Sequence, residues 1–374
     1  MHIQVDKKDF FEGIQVVQRA AATSTNLPIL TGIYLKAQEG QLEMRATDND
    51  IGIEYSLPVQ IREEGEIVLP AKYLVEIIRR FKPGEINLRR VEEGSYTALL
   101  ESGRTSFQLV GFPPANYPPK VFLTGEKAWQ VGQSLLKEMI KQTAFAASHD
   151  NLRPILTGVL MFFTGKGLEL VATDSHRLAF YRTALSAKTG EGAKMVVPRR
   201  TMEELARVIQ GDEEELVTIQ MTGGQVSFST RAVTLISRLI EGKFIDYRQV
   251  LPPGYKTRVR LDTLEFLAAV ERAAILTQDK ANSLRIEVED GRIRLFANTP
   301  EVGKVEEEIQ AEVVGENTSI SFNSRYLIEA LRVIEEQEIF FDITGSVSPG
   351  IIRPVGAEKD YLHLIMPVTT RAVT

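Results

Sequence analysis

Leu27-Pro28-Ile29-Leu30-Thr31-Gly32 returns further along the chain as Arg153-Pro154-Ile155-Leu156-Thr157-Gly158, with Pro28 and Pro154 setting the offset at 126 residues. The same offset carries Ala46-Thr47-Asp48 onto Ala172-Thr173-Asp174. Two blocks of identity in one register mark an internal repeat, and a fixed period of self-similarity decides the architecture before any single element does. A fainter third copy is Arg292-Ile293-Arg294-Leu295-Phe296-Ala297-Asn298-Thr299, which aligns with Leu42–Thr47 and with Gly167–Thr173 and places Ala297 125 residues after Ala172. Three such copies account for nearly all of the 374 residues.

Each copy repeats one order of local patterns. A helical stretch opens it: Phe10, Ile14, Val17 and Ala21 at steps of three and four, then Leu136, Ile140 and Thr143, then Leu264, Leu267 and Glu271. Strands with period-two alternation follow, as in Leu42/Met44/Ala46 and Ile51/Ile53/Tyr55, Leu168/Leu170/Ala172, and Ile293/Leu295/Ala297. Gly40, Gly167 and Gly291 precede them, where a hairpin needs a residue that accepts positive φ. A second helix then starts at Pro70, Pro198 or Asn323, residues suited to a helix N-terminus. The joints Phe112–Pro119 and Val250–Gly254 are proline-rich connectors. The expected domains are therefore residues 1–124, 125–252 and 253–374, each an α+β layer of two helices packed on sheets. Three equivalent layers joined by short links trace an arc, or crescent. Its open sheet edges invite pairing with a second copy, so a head-to-tail dimer is expected to close it.

Composition narrows the chemistry. The chain has no cysteine, which excludes disulfides, iron–sulfur clusters, thiolate zinc sites and a thiol nucleophile. Its four histidines, His2, His149, His176 and His363, are scattered, so neither a metal nor a cofactor is expected. The start Met1–Asp9 lacks a signal-peptide core, and charges interrupt every apolar run short of the ~18–20 residues that span a bilayer, so a cytoplasmic protein without a membrane partner is expected. Asp174-Ser175-His176 juxtaposes three reactive residue types, but neighbours in sequence seldom converge as nucleophile, base and orienter. Asp48 and Asp50 read as turn residues. Gly223-Gly224 lacks the following Lys-Ser/Thr of a phosphate loop. No catalytic residue is assigned.

The formal net charge of −6 conceals an uneven pattern. The second helices carry Lys72, Arg79, Arg80 and Lys82, then Arg199, Arg200 and Arg207, then Arg325 and Arg332, and the first helices add Lys7, Lys8, Arg19, Lys127, Lys137 and Lys141. Solvated helix faces are the ordinary reading of such residues. Their recurrence at matching helices favours a basic inner wall. No aromatic residues interleave with them, so nucleic-acid contact would be to backbone phosphate, independent of sequence. A three-repeat scaffold that binds peptides and no DNA is the alternative.

Over essentially its full length the chain resembles the bacterial DNA sliding clamps, the beta subunits of DNA polymerase III. The motifs that carry the resemblance are Leu27–Leu30, Ala172-Thr173-Asp174-Ser175-His176-Arg177-Leu178-Ala179, Val196-Val197-Pro198-Arg199, Gly242–Pro252 and Leu364-Ile365-Met366-Pro367-Val368. The resemblance implies a ring of two crescent subunits whose helices line a pore around duplex DNA. It also implies tethering of the replicative DNA polymerase and of other proteins that carry the clamp-binding motif, opening and closing by an ATP-driven clamp loader complex, and no catalysis by the clamp. A peptide groove is implied at Leu156, Thr173, Ser175, His176, Arg177, Leu178, Ile245, Val250, Pro349, Leu364, Met366, Pro367 and Val368, with His176 and Arg177 as polar rim contacts. Ser175 stands where many members have glycine, Ile245 where some have proline and Gln249 where some have arginine. The tail Thr369–Thr374 follows the point where many clamps nearly stop and is expected beside the groove or disordered.

For ring closure the resemblance places Phe107 and Leu109 of one copy against Ile275 and Leu276 of the other, with Glu306, Glu307 and Glu308 facing basic residues such as Arg104. Alternation alone leaves Phe107 and Leu109 equally readable as part of their own domain's core. For DNA, Arg153, Arg199 and Arg200 are the leading candidates, with Lys72, Arg79 and Arg80 behind them. Ser24-Thr25-Asn26 stands where family members often carry an arginine, and Pro154 and Ile155 where some carry aromatics.

Overall fold

The structure, a computed structural model, describes residues 1–91, 94–120, 128–185, 192–210, 215–277, 282–300, 302–356 and 360–368. The expected boundary at 124/125 and the tail 369–374 lie outside the described residues. The chain forms two compact units, residues 1–135 with 204–239 and residues 136–203 with 240–374. Six α-helices are present among the described residues: α1 (Lys7–Val17), α2 (Ala71–Arg80), α3 (Gln133–Thr143), α4 (Arg199–Val208), α5 (Thr263–Ala274) and α6 (Ser324–Leu331).

The repeat is written in the sheet order. In the first unit the strands Gly65–Pro70, Gly32–Gln38, Gln41–Thr47 and Ile51–Pro58 lie side by side in that order. In the second unit the same order appears twice, as Ala193–Pro198, Gly158–Thr164, Gly167–Thr173, Arg177–Ala184, and as Thr318–Asn323, Ser283–Glu289, Arg292–Thr299, Gly303–Gln310. A second kind of quartet is also used three times: His2–Asp6, Glu85–Arg90, Thr97–Ser102, Thr105–Val110; then Ala128–Gly132, Leu216–Thr222, Gln225–Ser229, Val233–Arg238; then Thr257–Asp262, Glu338–Ile343, Gly350–Pro354, Asp360–Ile365.

Two of these quartets fuse with their counterparts through the same pair of strands. Val233–Arg238 pairs antiparallel with Ile51–Pro58 in the eight-stranded sheet of the first unit. Arg177–Ala184 pairs antiparallel with Asp360–Ile365 in the nine-stranded sheet of the second. The third equivalent seam is open: Thr105–Val110 ends a five-stranded sheet, and Gly303–Gln310 ends a four-stranded one.

Helix packing follows the expected periodicity in two copies. Phe10, Ile14 and Val17 of α1 are buried, as are Leu136, Ile140 and Thr143 of α3. In α5 the buried stripe is Phe266, Ala269, Val270 and Ala273. Leu264 is 73% exposed and Glu271 accepts at 2.8 Å from Arg332, the residue that follows α6, so the expected face Leu264–Leu267–Glu271 is corrected by two residues. Asp262, whose side chain accepts from the Glu265 amide at 2.9 Å, caps α5 and fixes where its first turn begins. The glycines also divide. Gly40 and Gly291 sit at φ +76° and +75°, as a tight hairpin requires. Gly167 lies instead within its strand, where a Cβ would meet the Thr183 carbonyl, so its role is close strand approach. Among the described residues no helix is long and apolar enough to cross a membrane, and no group of three or more metal-ligating side chains is found.

Candidate functional site

The seam in the second unit carries the site. Its register sets Leu178 opposite Leu364 and Phe180 opposite Leu362, and alternation turns all four to one face. Leu160, Val171, Leu178, Val196, Tyr247 and Leu364 form one buried cluster, flanked by Ile155, Phe162, Phe180, Ile240, Phe244, Leu251 and Leu362. Two short 3₁₀ turns close on it. Pro154–Thr157 buries Leu156, its proline presetting the first φ, and Tyr247–Val250 buries Tyr247 while leaving Val250 outside. Ile245, Val250 and Met366 remain 39%, 44% and 40% exposed around this floor. Pro367 and Val368 are half-buried, with the Val368 amide donating to the Ser321 carbonyl at 2.8 Å. Pro349, also half-buried, precedes Gly350, which pairs with Ile365. The result is an apolar floor with an apolar, part-exposed rim.

The lip of the site is a tight turn. Asp174 accepts from the amides of His176 at 2.9 Å and Arg177 at 3.0 Å, and the buried Thr173 hydroxyl donates to the Arg177 carbonyl at 2.6 Å. Ser175 takes φ +79° there, as Asn49 does at φ +78° at the equivalent place in the first copy. A non-glycine residue is strained in that region, and asparagine tolerates it better than serine. His176 is exposed and its carbonyl accepts from the Met366 amide at 2.8 Å, tying the lip to the C-terminal segment.

Arg177 departs from expectation. Its side chain is 7% exposed and already engaged: Nε donates to Asp174 at 3.0 Å, Nη2 to the Phe145 carbonyl at 2.9 Å, and Nη1 to Glu329 on α6. The Tyr326 and Phe145 rings lie against it at 4.5 and 5.4 Å. A buried cation must be paired, and this one is paired within the chain. It braces the lip from within the chain. In the same turn Asp174 is occupied by Arg177 and two amides, and Ser175 Oγ accepts from Arg153 at 3.4 Å.

Residues that sequence reasoning did not single out also shape the site. Glu169, a buried carboxylate, accepts from the Tyr247 hydroxyl and from Arg248 Nη2 at 2.7 Å, anchoring the turn that carries Val250. Burial, and then the Glu169 hydrogen bond, push the Tyr247 hydroxyl pKa up. His363, next to Leu364 but facing the other way, is fully buried, and neither ring nitrogen has a hydrogen-bond partner among the described residues. Burial, reinforced by the nearby Arg177 charge, lowers its pKa to about 3, so it is neutral. A buried glutamate breaking an apolar alternation was the available signal for Glu169.

Lys72, Arg79 and Arg80 are exposed on α2, with Arg79 2.8 Å from Glu76 and Arg80 on the same carboxylate. Arg200 is exposed at the start of α4, and Arg153 is exposed beside Ser175. Arg199 is half-buried, donates to Glu203 at 2.6 Å and also meets His149. Phe107 is 41% exposed on the edge strand, its ring 5.8 Å from that of Phe81, and Leu109 is half-buried. It is therefore not sealed in its own core. Ile275 is 67% exposed and Leu276 lines a hollow with Phe296. The acidic run is largely spoken for within the chain: Glu307 accepts from Arg272 Nε and Nη2, each at 2.8 Å, Glu308 lies 3.3 Å from Arg292, and Glu306 lies 3.7 Å from Arg294 while 60% exposed. Of the three, Glu306 is left most open to a partner.

Comparison with known families decides the relationship. The N-terminal, central and C-terminal domains of the DNA polymerase III beta subunit match residues 1–121, 130–246 and 248–369. The chain belongs to that family, the sliding clamps. The beta sliding clamp of Bacillus subtilis is 34% identical over 99% of this chain and 100% of its own, and that of Halalkalibacterium halodurans 33% over the same shares. Among solved clamps, that of B. subtilis superposes with a TM-score of 0.93 at 34% identity, covering 99% of both chains. The beta subunit of Streptococcus pyogenes gives 0.94 at 29% identity, covering 99% of this chain and 100% of its own. The α+β fold of three clamp domains and the sliding-clamp function follow from this membership.

Proposed function

We propose that two copies of the chain close head to tail into a ring around duplex DNA, and that the groove of the second unit tethers the replicative polymerase and other motif-bearing partners to it. The observation that carries the reading is the open seam. The repeat joins its quartets twice through equivalent strands, and the third equivalent pair, Thr105–Val110 and Gly303–Gln310, lies at two free edges. Pairing these strands between copies would produce a nine-stranded sheet, the size of the one already continuous in the second unit. Phe107, Leu109, Ile275, Leu276 and Glu306 would lie at that junction.

The clamp acts by enclosure and catalyses nothing, so it needs no cofactor. Domain divisions at 124/125 and 252/253 follow the repeat. Arg153, Arg200, Lys72, Arg79 and Arg80 would meet phosphate without reading sequence. A clamp loader opens and closes the ring, and the protein works in the cytoplasm. Sedimentation tests the seam: the parent chain is expected as a dimer and Ile275→Asp as a monomer with an unchanged melting transition. A parent monomer at micromolar concentration, or a dimeric Ile275→Asp, overturns the ring.

A further inference from the structure

We infer that the face just beyond the groove is a cationic landing for acidic residues that flank the apolar core of a docked peptide. The inference rests on the groove reading above and deepens it. Leu178, Phe180 and Arg182 alternate on one face of the seam strand, opposite Leu364, Leu362 and Asp360. Four residues of strand cover about 13 Å at ~3.3 Å each, so an extended peptide seated on Leu178 reaches Arg182 with about four residues of its own.

The floor is continuous. A hollow of about 460 Å³ opens from Phe180, Tyr247 and Leu362, which belong to or pack on the groove cluster, to Arg182, Arg248 and Arg353. A second hollow adjoins it, sharing Glu169 and Arg182 and reaching the exposed Lys166 at its rim. The ion pairs here are layered. Arg248 is 51% exposed above a Glu169 that is 6% exposed, and Arg353 is 39% exposed above an Asp342 that is 3% exposed. Asp342 is further committed to Arg258, at 2.6 and 2.8 Å. The carboxylates are inside and the guanidiniums outside, so solvent meets positive charge although pairs exist. Arg248 bonds Glu169 through Nη2, and its remaining N–H groups have no hydrogen bond among the described residues although the side chain is half-exposed. Lys166, Arg182, Arg248 and Arg353 line the two hollows, and Glu169 is the one carboxylate among the described residues on those linings. Half-exposed guanidiniums beside an apolar slot suit the carboxylates of a peptide that is apolar in the middle and acidic at one flank.

The test uses the full-length protein and three synthetic peptides that share one Leu/Phe core and carry aspartate, serine or lysine on both flanks. Affinities are read by fluorescence anisotropy at about 50 mM salt and again at about 500 mM, where screening suppresses exposed charge interactions. The aspartate-flanked peptide is expected to bind about tenfold more tightly than the serine-flanked one at low salt and less than about twofold more tightly at high salt. Lys166→Glu with Arg353→Gln is expected to reduce that advantage to below about threefold and to leave the serine-flanked peptide unchanged. Equal binding of the two peptides by the parent, or an advantage that survives the double substitution, overturns the landing. Failure of the serine-flanked peptide to bind overturns the groove reading itself, because that peptide has no charge to offer the arginines. A double variant that keeps the aspartate preference and releases DNA faster would assign the face to nucleic acid and overturn the inference.

Discussion

Replacing Ile245, Val250 and Met366 together by alanine removes the rim that a docked peptide would cover. These side chains are 39%, 44% and 40% exposed, so a peptide has about two-fifths of each left to bury. Complete burial of a side chain of this size is worth about 1.5–3 kcal/mol, which leaves about 0.6–1.2 kcal/mol for each and about 1.8–3.6 kcal/mol for the three. That corresponds to a loss of about 20- to 400-fold in affinity. The three lie round one floor, so their effects couple and the triple variant is the informative one. Calorimetric titration of a polymerase-derived peptide reads the loss, and an unchanged sedimentation profile with a cooperative melt shows that the ring and fold persist. An affinity within about twofold of the parent would refute the reasoning, since no area-based estimate for three rim residues is that small.

Two further predictions concern what lies beneath the rim. Arg177→Met leaves Asp174, 13% exposed, without its cation, while Glu329, at 45%, rehydrates; a loss of about 3 kcal/mol, the low end for a broken buried pair, is expected in denaturant unfolding. A loss below about 1 kcal/mol would show that the brace is dispensable. His363 titrates near 6.5 when unfolded and only at about 3 in the fold, so the unfolded chain binds the extra proton. Its stability contribution is therefore complete above pH ~6.5 and declines as pH falls toward 3, by up to about 1.4 kcal/mol per unit. His363→Phe is expected to flatten the parent's stability–pH profile across that window, and parallel profiles would remove His363 as the cause.

How much the sequence disclosed follows from the kind of signal each feature leaves. The repeat was legible because identical turns, Pro-Ile-Leu-Thr-Gly and Ala-Thr-Asp, recur where backbone geometry restricts the choice of residue. Open edges were expected from the repeat, but the two kinds of strand quartet were not, because pairing between distant strands leaves no local pattern. The family resemblance, not any local pattern, supplied Leu178, Leu364 and Arg177 as groove positions, and it could not tell that Asp174, Glu329 and Phe145 engage Arg177 from within the chain. Helix α5 slipped by two residues because alanines at 269 and 273 carry little hydrophobic signal while Leu264 carries much and faces solvent. Glu169 was missed because the meaning of a lone acid in an apolar strand depends on Tyr247 and Arg248, almost eighty residues away.

Enclosure of duplex DNA by two copies of the chain is the central claim, and topology tests it more directly than affinity does. The protein is assembled by a clamp loader on a nicked circular duplex and, separately, on the same duplex cut once, and the bound fraction is followed after the loader is removed. Retention on the circle, with rapid loss from the cut form at equal salt, is the predicted result. Equal release from the two forms would mean that the chain adheres to DNA instead of surrounding it, and would contradict the ring.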